Sequence, residues 1–203
     1  MDIILVFLFS YISGSIPFGY LVTKIFGKID VRNIGSGNIG ATNVLRTGNK
    51  FLAATTLILD ILKGFIPVFI SAKYFPELIE LSCILAFLGH LFPIWLKFKG
   101  GKGVATYVGI LGALSLQLFF LFAFTWLVIS LIFKYSSVSS LFASLTVFVV
   151  NFIRETFINS TEFISSDRII DSKILFIFFI LIIFTHRKNI SNLKNKKEKK
   201  IRI

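Results

Sequence analysis

Apolar residues fall in long runs along this chain, and the polar and basic residues stand between them. The first run, residues 3–23, is long enough to cross a bilayer, which takes roughly 20 residues. Its second half places Ser10, Gly14, Ser15 and Gly19 as small-xxx-small pairs that permit close helix contact, and Pro17 predicts a kink. Residues 26–50 are polar, basic and rich in Gly and Asn, which predicts a loop. Two further spans follow at 51–72 and 78–96, the first carrying Asp60 and Lys63 one turn apart on a single helix face. The run at 104–133 is too long for one perpendicular helix of about 17–25 residues, so it predicts a short helix pair joined near residues 115–117. Residues 138–153 and 174–185 supply the last spans, with residues 154–173 as a loop. The pattern predicts an all-α integral membrane protein with about seven transmembrane helices.

Charge orients these spans. The 203 residues hold 22 Lys and Arg against 10 Asp and Glu, a net charge of +12, and the cations cluster at the ends of apolar runs. That placement argues against a nucleic-acid partner and for the positive-inside rule. Lys24, Lys28, Arg32, Arg46 and Lys50, then Lys97, Lys99 and Lys102, then the tail from Arg187 to Arg202, are expected in the cytoplasm. Asp2 before the first run and Lys24 after it put the N-terminus outside, and seven crossings with a basic tail put the C-terminus in the cytoplasm. Lys134 shares a side with Lys102 if the intervening run is a helix pair. The loop with Arg154, Glu155, Glu162, Asp167, Arg168 and Asp171 has no strong positive excess, as an outside loop permits.

Composition closes off other classes. A 55% hydrophobic chain with a mean hydropathy of +0.84 is too apolar for a soluble domain. No linker divides it, so residues 1–193 are expected to form one helical bundle and 194–203 a disordered basic tail. The first run is too long for the apolar part of a cleavable signal and shows no small-residue cleavage site. Cys83 lies inside an apolar run, where a lone thiol is structural.

Residues 89–106 place Lys97, Lys99 and Lys102 around Gly100, Gly101 and Gly103, ahead of a new apolar run. Glycines let backbone N–H groups face one concavity, and lysines and a helix N-terminus add positive charge, which points to a phosphate at the membrane surface. Lysines alone are commonly a topology signal, but topology does not require the glycines. Gly35-Ser36-Gly37-Asn38-Ile39-Gly40 matches a dinucleotide motif by letter and fails on context, because a helical bundle offers no βαβ unit. What remains is a glycine-rich backbone with Ser36, Asn38, Gly40, Thr42 and Asn43 for hydrogen bonding and Arg46 for an anion; the plain alternative is a polar loop with Asn-Gly turns. Gly103 stands where a Walker motif needs Ser or Thr, which argues against an ATPase. Asp60 and Lys63 are either functional or a self-neutralising pair. His186 and Asn189 lie one turn apart, and His186 either acts as a base or complements a helix dipole. All three motifs fall on the cytoplasmic side, within expected reach of one shared pocket.

Residues 36–43, residues 89–90 with 98–106, and residues 186–190 resemble the three signature motifs of the bacterial acyl-phosphate:glycerol-3-phosphate acyltransferases, the PlsY family. Residues 14–17 and 60–64 are similar to that family too, so the resemblance covers nearly the whole chain. It implies a seven-helix enzyme of the bacterial inner membrane with a cytoplasmic active site. The implied reaction moves an acyl group from acyl phosphate to the 1-hydroxyl of sn-glycerol 3-phosphate, giving lysophosphatidic acid and inorganic phosphate without acyl-CoA. By the same resemblance, Ser36, Lys102, His186 and Asn189 are expected to be catalytic. Asn38, Gly40, Thr42, Asn43, Arg46, Lys99, Gly100, Gly101, Gly103, Ser137 and Asp60 are expected to bind substrate. No metal or cofactor is implied, and the expected partners are the two substrates and membrane lipid, with the protein a monomer. Two departures stand out: Asn192 replaces the family's usual Arg, and the tail lacks the Gly-Glu common after it.

The residue chemistry agrees with this reading. No Ser-His-Asp or Cys-His arrangement suggests a covalent intermediate, and an acyl phosphate is already activated. The protein has to position a hydroxyl, stabilise an oxyanion and neutralise the departing phosphate, with either His186 or a substrate phosphate as base. A phosphate transporter would also use basic nests and Asp60, but it usually shows paired repeats and a midplane site, and no repeat is present here. A lipid-binding scaffold leaves the glycine loops unexplained.

Overall fold

A backbone in hydrocarbon has no water to bond, so each long apolar run satisfies its N–H and C=O groups within a helix. The computed structural model describes residues 1–160 and 170–201; Glu162, Asp167 and Arg168 of the expected outer loop, and Arg202 of the tail, lie outside the described residues. The helices are α1 (Asp2–Ser15), α2 (Phe18–Phe26), α3 (Ala41–Val44), α4 (Lys50–Tyr74), α5 (Ile79–Leu91), α6 (Val104–Leu114), α7 (Leu116–Phe133), α8 (Ser136–Ser160), α9 (Ser172–Thr185) and α10 (Arg187–Lys194), and no strand occurs among the described residues. Among the described residues four helical segments are long and apolar enough to cross a membrane, or up to six if each of two bent pairs counts as one span. The expected count of seven therefore depends on α6, whose 11 residues reach only about 17 Å at 1.5 Å per residue.

The chain divides into two compact units, Met1–Ala113 and Leu114–Ile203. In the first unit Pro17, which lacks an N–H, separates α1 from α2, and the two helices bend by 43°. The small residues of the first run serve two different contacts. Ser10 Oγ lies 2.8 Å from Ser82 Oγ, and a Cβ at Gly14 would overlap the Ala86 backbone, so α1 packs closely on α5. A Cβ at Gly19 would strike the Ile39 carbonyl, so that glycine admits the following loop instead. Gly64 and Gly109 likewise bring α4 and α6 into backbone contact, against Thr106 and Ile61.

In the second unit the Trp126 indole N–H donates to Ser140 Oγ at 3.1 Å and ties α7 to α8. Large apolar side chains such as Phe120, Phe124 and Leu131 are exposed, as lipid-facing residues are. The break expected near residues 115–117 falls at Ser115, whose side chain caps α7. The expected loop from residue 154 begins later than charge alone suggests, because α8 continues through Arg154 and Glu155. Both charges find partners: Arg154 Nη1 donates to Gln117 Oε1 at 3.0 Å, and Glu155 accepts the Ser172 N–H at 3.1 Å. Asn151 Nδ2 bonds the Ile170 carbonyl at 2.8 Å and Ser172 Oγ at 2.9 Å, fixing the start of α9. The tail, expected to be disordered from its charge, folds back so that the Ile201 N–H donates to the Lys134 carbonyl at 2.8 Å.

Candidate active site

The first polar loop is anchored by apolar side chains and organised by one amide. Val31, Ile39 and Val44 are buried against Val22, Leu52 and Ala53, which pins the loop between α2 and α4. Asn43, 3% exposed, donates through Nδ2 to the carbonyls of Val31 (3.1 Å), Ile34 (2.9 Å) and Asn38 (2.8 Å). Its Oδ1 accepts the Ser36 N–H at 3.0 Å and Arg46 Nη1 at 3.3 Å. Asn38 Oδ1 accepts the Gly40 N–H at 2.8 Å. Asn43 and Asn38, expected to contact substrate, therefore hold the loop itself, while Ser36 and Arg46 stand exposed around the hub and Gly40 and Thr42 are half-buried. Gly35 and Gly37 have φ of +57° and +73°, a left-handed backbone that other side chains rarely adopt. At the loop's outer edge the Arg32 guanidinium pairs with Asp30 at 2.6 Å. That hydrogen bond lowers the Asp30 pKa to about 2 and raises that of Arg32.

The second loop folds back onto the end of α5. After Pro93 a 3₁₀ turn, Ile94–Leu96, leads into two consecutive left-handed residues, Lys97 and Phe98, at φ of +52° and +60°. Such conformations cost on the order of 1 kcal/mol each in non-glycine residues. They let the Phe98 N–H reach the Pro93 carbonyl (3.0 Å), the Gly100 N–H reach Leu91 (3.1 Å) and the Gly101 N–H reach His90 (3.1 Å). A Cβ at Gly100 would overlap the His90 carbonyl, one at Gly101 the His90 ring, and one at Gly103 the Phe87 ring. This corrects the expected nest of backbone donors: the Gly100 and Gly101 amides already serve α5, and the glycines are there for close approach. Positive charge is left to exposed Lys97 and Lys99, partly buried Lys102 and the first turn of α6. Leu96 packs on the apolar cluster beneath the first loop, so both loops flank one end of this unit.

In the second unit the third motif gathers around a carboxylate. Glu198 Oε1 accepts Asn189 Nδ2 at 2.6 Å and Ser137 Oγ at 3.2 Å, and Oε2 accepts Asn192 Nδ2 at 3.4 Å. His186 is 2% exposed, and its Nδ1 lies 2.8 Å from the Ile182 carbonyl. A carbonyl only accepts, so Nδ1 carries a proton. The main chain bends by 55° between α9 and α10, which sets His186 at the corner between them.

Comparison with known proteins gives this geometry a family. A sequence profile described as Glycerol-3-phosphate acyltransferase matches residues 4–196. The chain is 52% identical over 203 residues to a Pelagibacter ubique glycerol-3-phosphate acyltransferase, covering 100% of both, and 49% identical to one of Mesorhizobium japonicum, covering 98% of this chain and 96% of that one. The chain belongs to the glycerol-3-phosphate acyltransferase family. Crystal structures of PlsY, an integral membrane glycerol 3-phosphate acyltransferase, are similar throughout. The glycerol 3-phosphate form aligns with a TM-score of 0.88 at 34% identity, over 100% of this chain and 96% of that one. The lysophosphatidic acid form aligns at 0.86 and 33%, over 98% and 95%.

Within this PlsY-type fold, Glu198 is the residue that motif reading passes over. Its signal in the sequence is its isolation, since it is the single acidic residue after Asp171, among lysines. Its role comes from drawing in Asn192, which stands where the family usually has Arg, together with the expected site residues Asn189 and Ser137. Asp60 sits away from the loops' surface, 2% exposed, with Lys63 Nζ 2.8 Å from its Oδ1.

Proposed function

We propose that this protein transfers a fatty acyl group from acyl phosphate to the 1-hydroxyl of sn-glycerol 3-phosphate, the first acylation of phospholipid biosynthesis. The hydroxyl oxygen attacks the acyl carbonyl carbon, the bond from that carbon to the phosphate oxygen breaks, and inorganic phosphate leaves with lysophosphatidic acid as product. The observation that carries this reading is the likeness to PlsY structures in glycerol 3-phosphate and lysophosphatidic acid forms, over 100% and 98% of this chain.

The division of charge supports the roles. Both substrates carry phosphate, and the loops of the first unit offer Arg46, Lys97, Lys99 and Lys102 with little acidic competition nearby. Lys102 and Arg46 hold phosphate, Lys102 neutralises charge on the departing group, and the Ser36 hydroxyl donates a hydrogen bond to it. In the second unit, Glu198 has ordered Asn189 and Ser137, and a polar group already paired with a carboxylate suits a hydroxyl better than a phosphate. Asn189 orients the glycerol hydroxyl, and His186 Nε2 accepts its proton. The tautomer implied by the Ile182 contact supports that role. No cofactor enters the chemistry.

We place the chain in the bacterial inner membrane as a monomeric single bundle with seven crossings, α6 included. The N-terminus is outside and both motif-bearing ends are cytoplasmic. Within the second unit Arg154 meets Gln117 at one end and Ile201 meets Lys134 at the other, so Lys134 and the basic tail share an end, which the positive-inside rule makes cytoplasmic. Purified protein given palmitoyl phosphate and glycerol 3-phosphate, with palmitoyl-CoA in parallel, tests the reaction. Equimolar phosphate and lysophosphatidic acid from the acyl phosphate alone is expected; product from palmitoyl-CoA alone, or none from either, overturns it.

A further inference from the structure

Below the loops of the first unit lies a cluster of polar groups that the proposed chemistry does not use. Asp60 and Lys63 on α4, His90 on α5 and Thr106 on α6 are each between 0% and 3% exposed. Lys63 Nζ lies 2.8 Å from Asp60 Oδ1 and donates to the Ile16 carbonyl at 2.7 Å, at the break between α1 and α2. Asp60 Oδ1 is within ion-pair reach of Lys63 but has no well-directed hydrogen bond, and stands 3.9 Å from His90 Nδ1. Thr106 Oγ1 is 3.0 Å from that same nitrogen. The His90 carbonyl takes the Gly101 N–H at 3.1 Å, and the His90 ring fills the space where a Cβ on Gly101 would sit.

These contacts form one connected path. It runs from the break in the first span through Lys63 and Asp60 to His90, and from His90 to Gly101 within the glycine–lysine loop and to Thr106 in the first turn of α6 that follows it. His90 is thereby gripped on its main chain and its ring by the loop whose lysines face the surface. We infer that Asp60, Lys63, His90 and Thr106 are positioning residues. They hold the Lys97–Lys102 segment in the register that binds the phosphorylated substrate, without touching that substrate.

Two observations favour positioning over simple charge neutralisation. A buried ion pair is a poor way to add stability, because well-packed apolar groups of the same volume do as well or better, and its advantage lies in fixing one arrangement. The partners here also reach beyond each other, Lys63 to the broken helix and His90 to the loop, which a self-neutralising pair would not need. A reading of Asp60 as a substrate contact would require exposure that it lacks.

The inference rests on the acyltransferase reading, and two readouts separate their failures. In steady-state kinetics, Thr106→Val, which keeps the shape and loses the hydroxyl, is expected to raise KM for glycerol 3-phosphate about tenfold or more with kcat within about threefold. Thr106→Ser is expected to restore KM to within about twofold. The double variant Asp60→Leu with Lys63→Leu is expected to melt no lower than the parent yet keep a raised KM. Unchanged KM in Thr106→Val, or full kinetic recovery in the double variant, overturns the inference. Thermal stabilisation of the purified protein by inorganic phosphate needs no turnover. Thr106→Val is expected to require about tenfold more phosphate for the same shift, and an unchanged requirement also overturns the inference. Should the parent protein make no product from acyl phosphate, the acyltransferase reading falls, and the phosphate titration alone decides the cluster.

Discussion

The two loops of the first unit and the cluster of the second are both polar surfaces built at the ends of apolar helices, yet they are organised by opposite means. The loops are held from beneath by buried groups that finish no charge at the surface: the Asn43 amide under Ser36 and Arg46, and the His90 ring under Gly101. Arg46, Lys97 and Lys99 are exposed there. The second unit has a carboxylate at its centre, with Asn189, Ser137 and Asn192 already donating to Glu198. A surface that exposes cations over a neutral support attracts phosphate, whereas one centred on a carboxylate repels it and orients a hydroxyl or a proton. On the acyltransferase reading proposed above, anion binding and proton handling would be separated by what lies beneath each surface.

Substitutions can break that division at either side. The largest effect is expected from Lys102→Ala, which removes a cation from the phosphate side and should lower turnover about 1,000-fold while the protein remains folded. Near-normal activity would end the phosphate-loop assignment. His186→Ala is next, with an expected loss of about 100-fold and a change in pH dependence. A neutral His base makes the rate rise with pH as the ring loses its proton, so that rising limb should vanish in the variant. A substantial rate with the limb intact would pass the base role to the substrate phosphate. Glu198→Ala should be milder, about tenfold in kcat, with easier proteolysis of the tail because the partners of Asn189 and Ser137 are lost. An unaltered kcat would make Glu198 a tether only.

The smallest effect belongs to the exposed edge of the first loop. The Asp30 pKa is lowered to about 2 by its Arg32 hydrogen bond, so the pair's contribution is present near neutral pH and is lost as pH falls from about 4 toward 2. Because the pair is exposed to solvent, Asp30→Asn should cost less than about 1 kcal/mol at neutral pH, and the parent and variant melting temperatures should converge in acid.

The helices were legible in the sequence because lipid demands long apolar runs, and even the break at Ser115 follows from run length. Where sequence reading departed from the structure, the cause is a partner distant along the chain. Arg154 and Glu155 look like loop residues until Gln117 and Ser172 are seen beside them. Gly100 and Gly101 read as a cradle of donors, but their reason is the His90 and Leu91 backbone packed against them. Asn43 has the chemistry of a ligand contact and the burial of a keystone. Glu198 was hidden by the lysines around it, since a basic run suggests disorder unless one notices that its lone carboxylate has donors to find.

The proposed acyltransferase reading expects the motif-bearing end of each unit to be cytoplasmic. Single cysteines at exposed Asn33 and Lys188, with buried Cys83 as the unreactive internal control, can be challenged with a membrane-impermeant maleimide in intact cells and in inverted vesicles. Both positions are expected to label in inverted vesicles and to stay protected in intact cells. Labelling of one from the outside and the other from the inside would contradict the account.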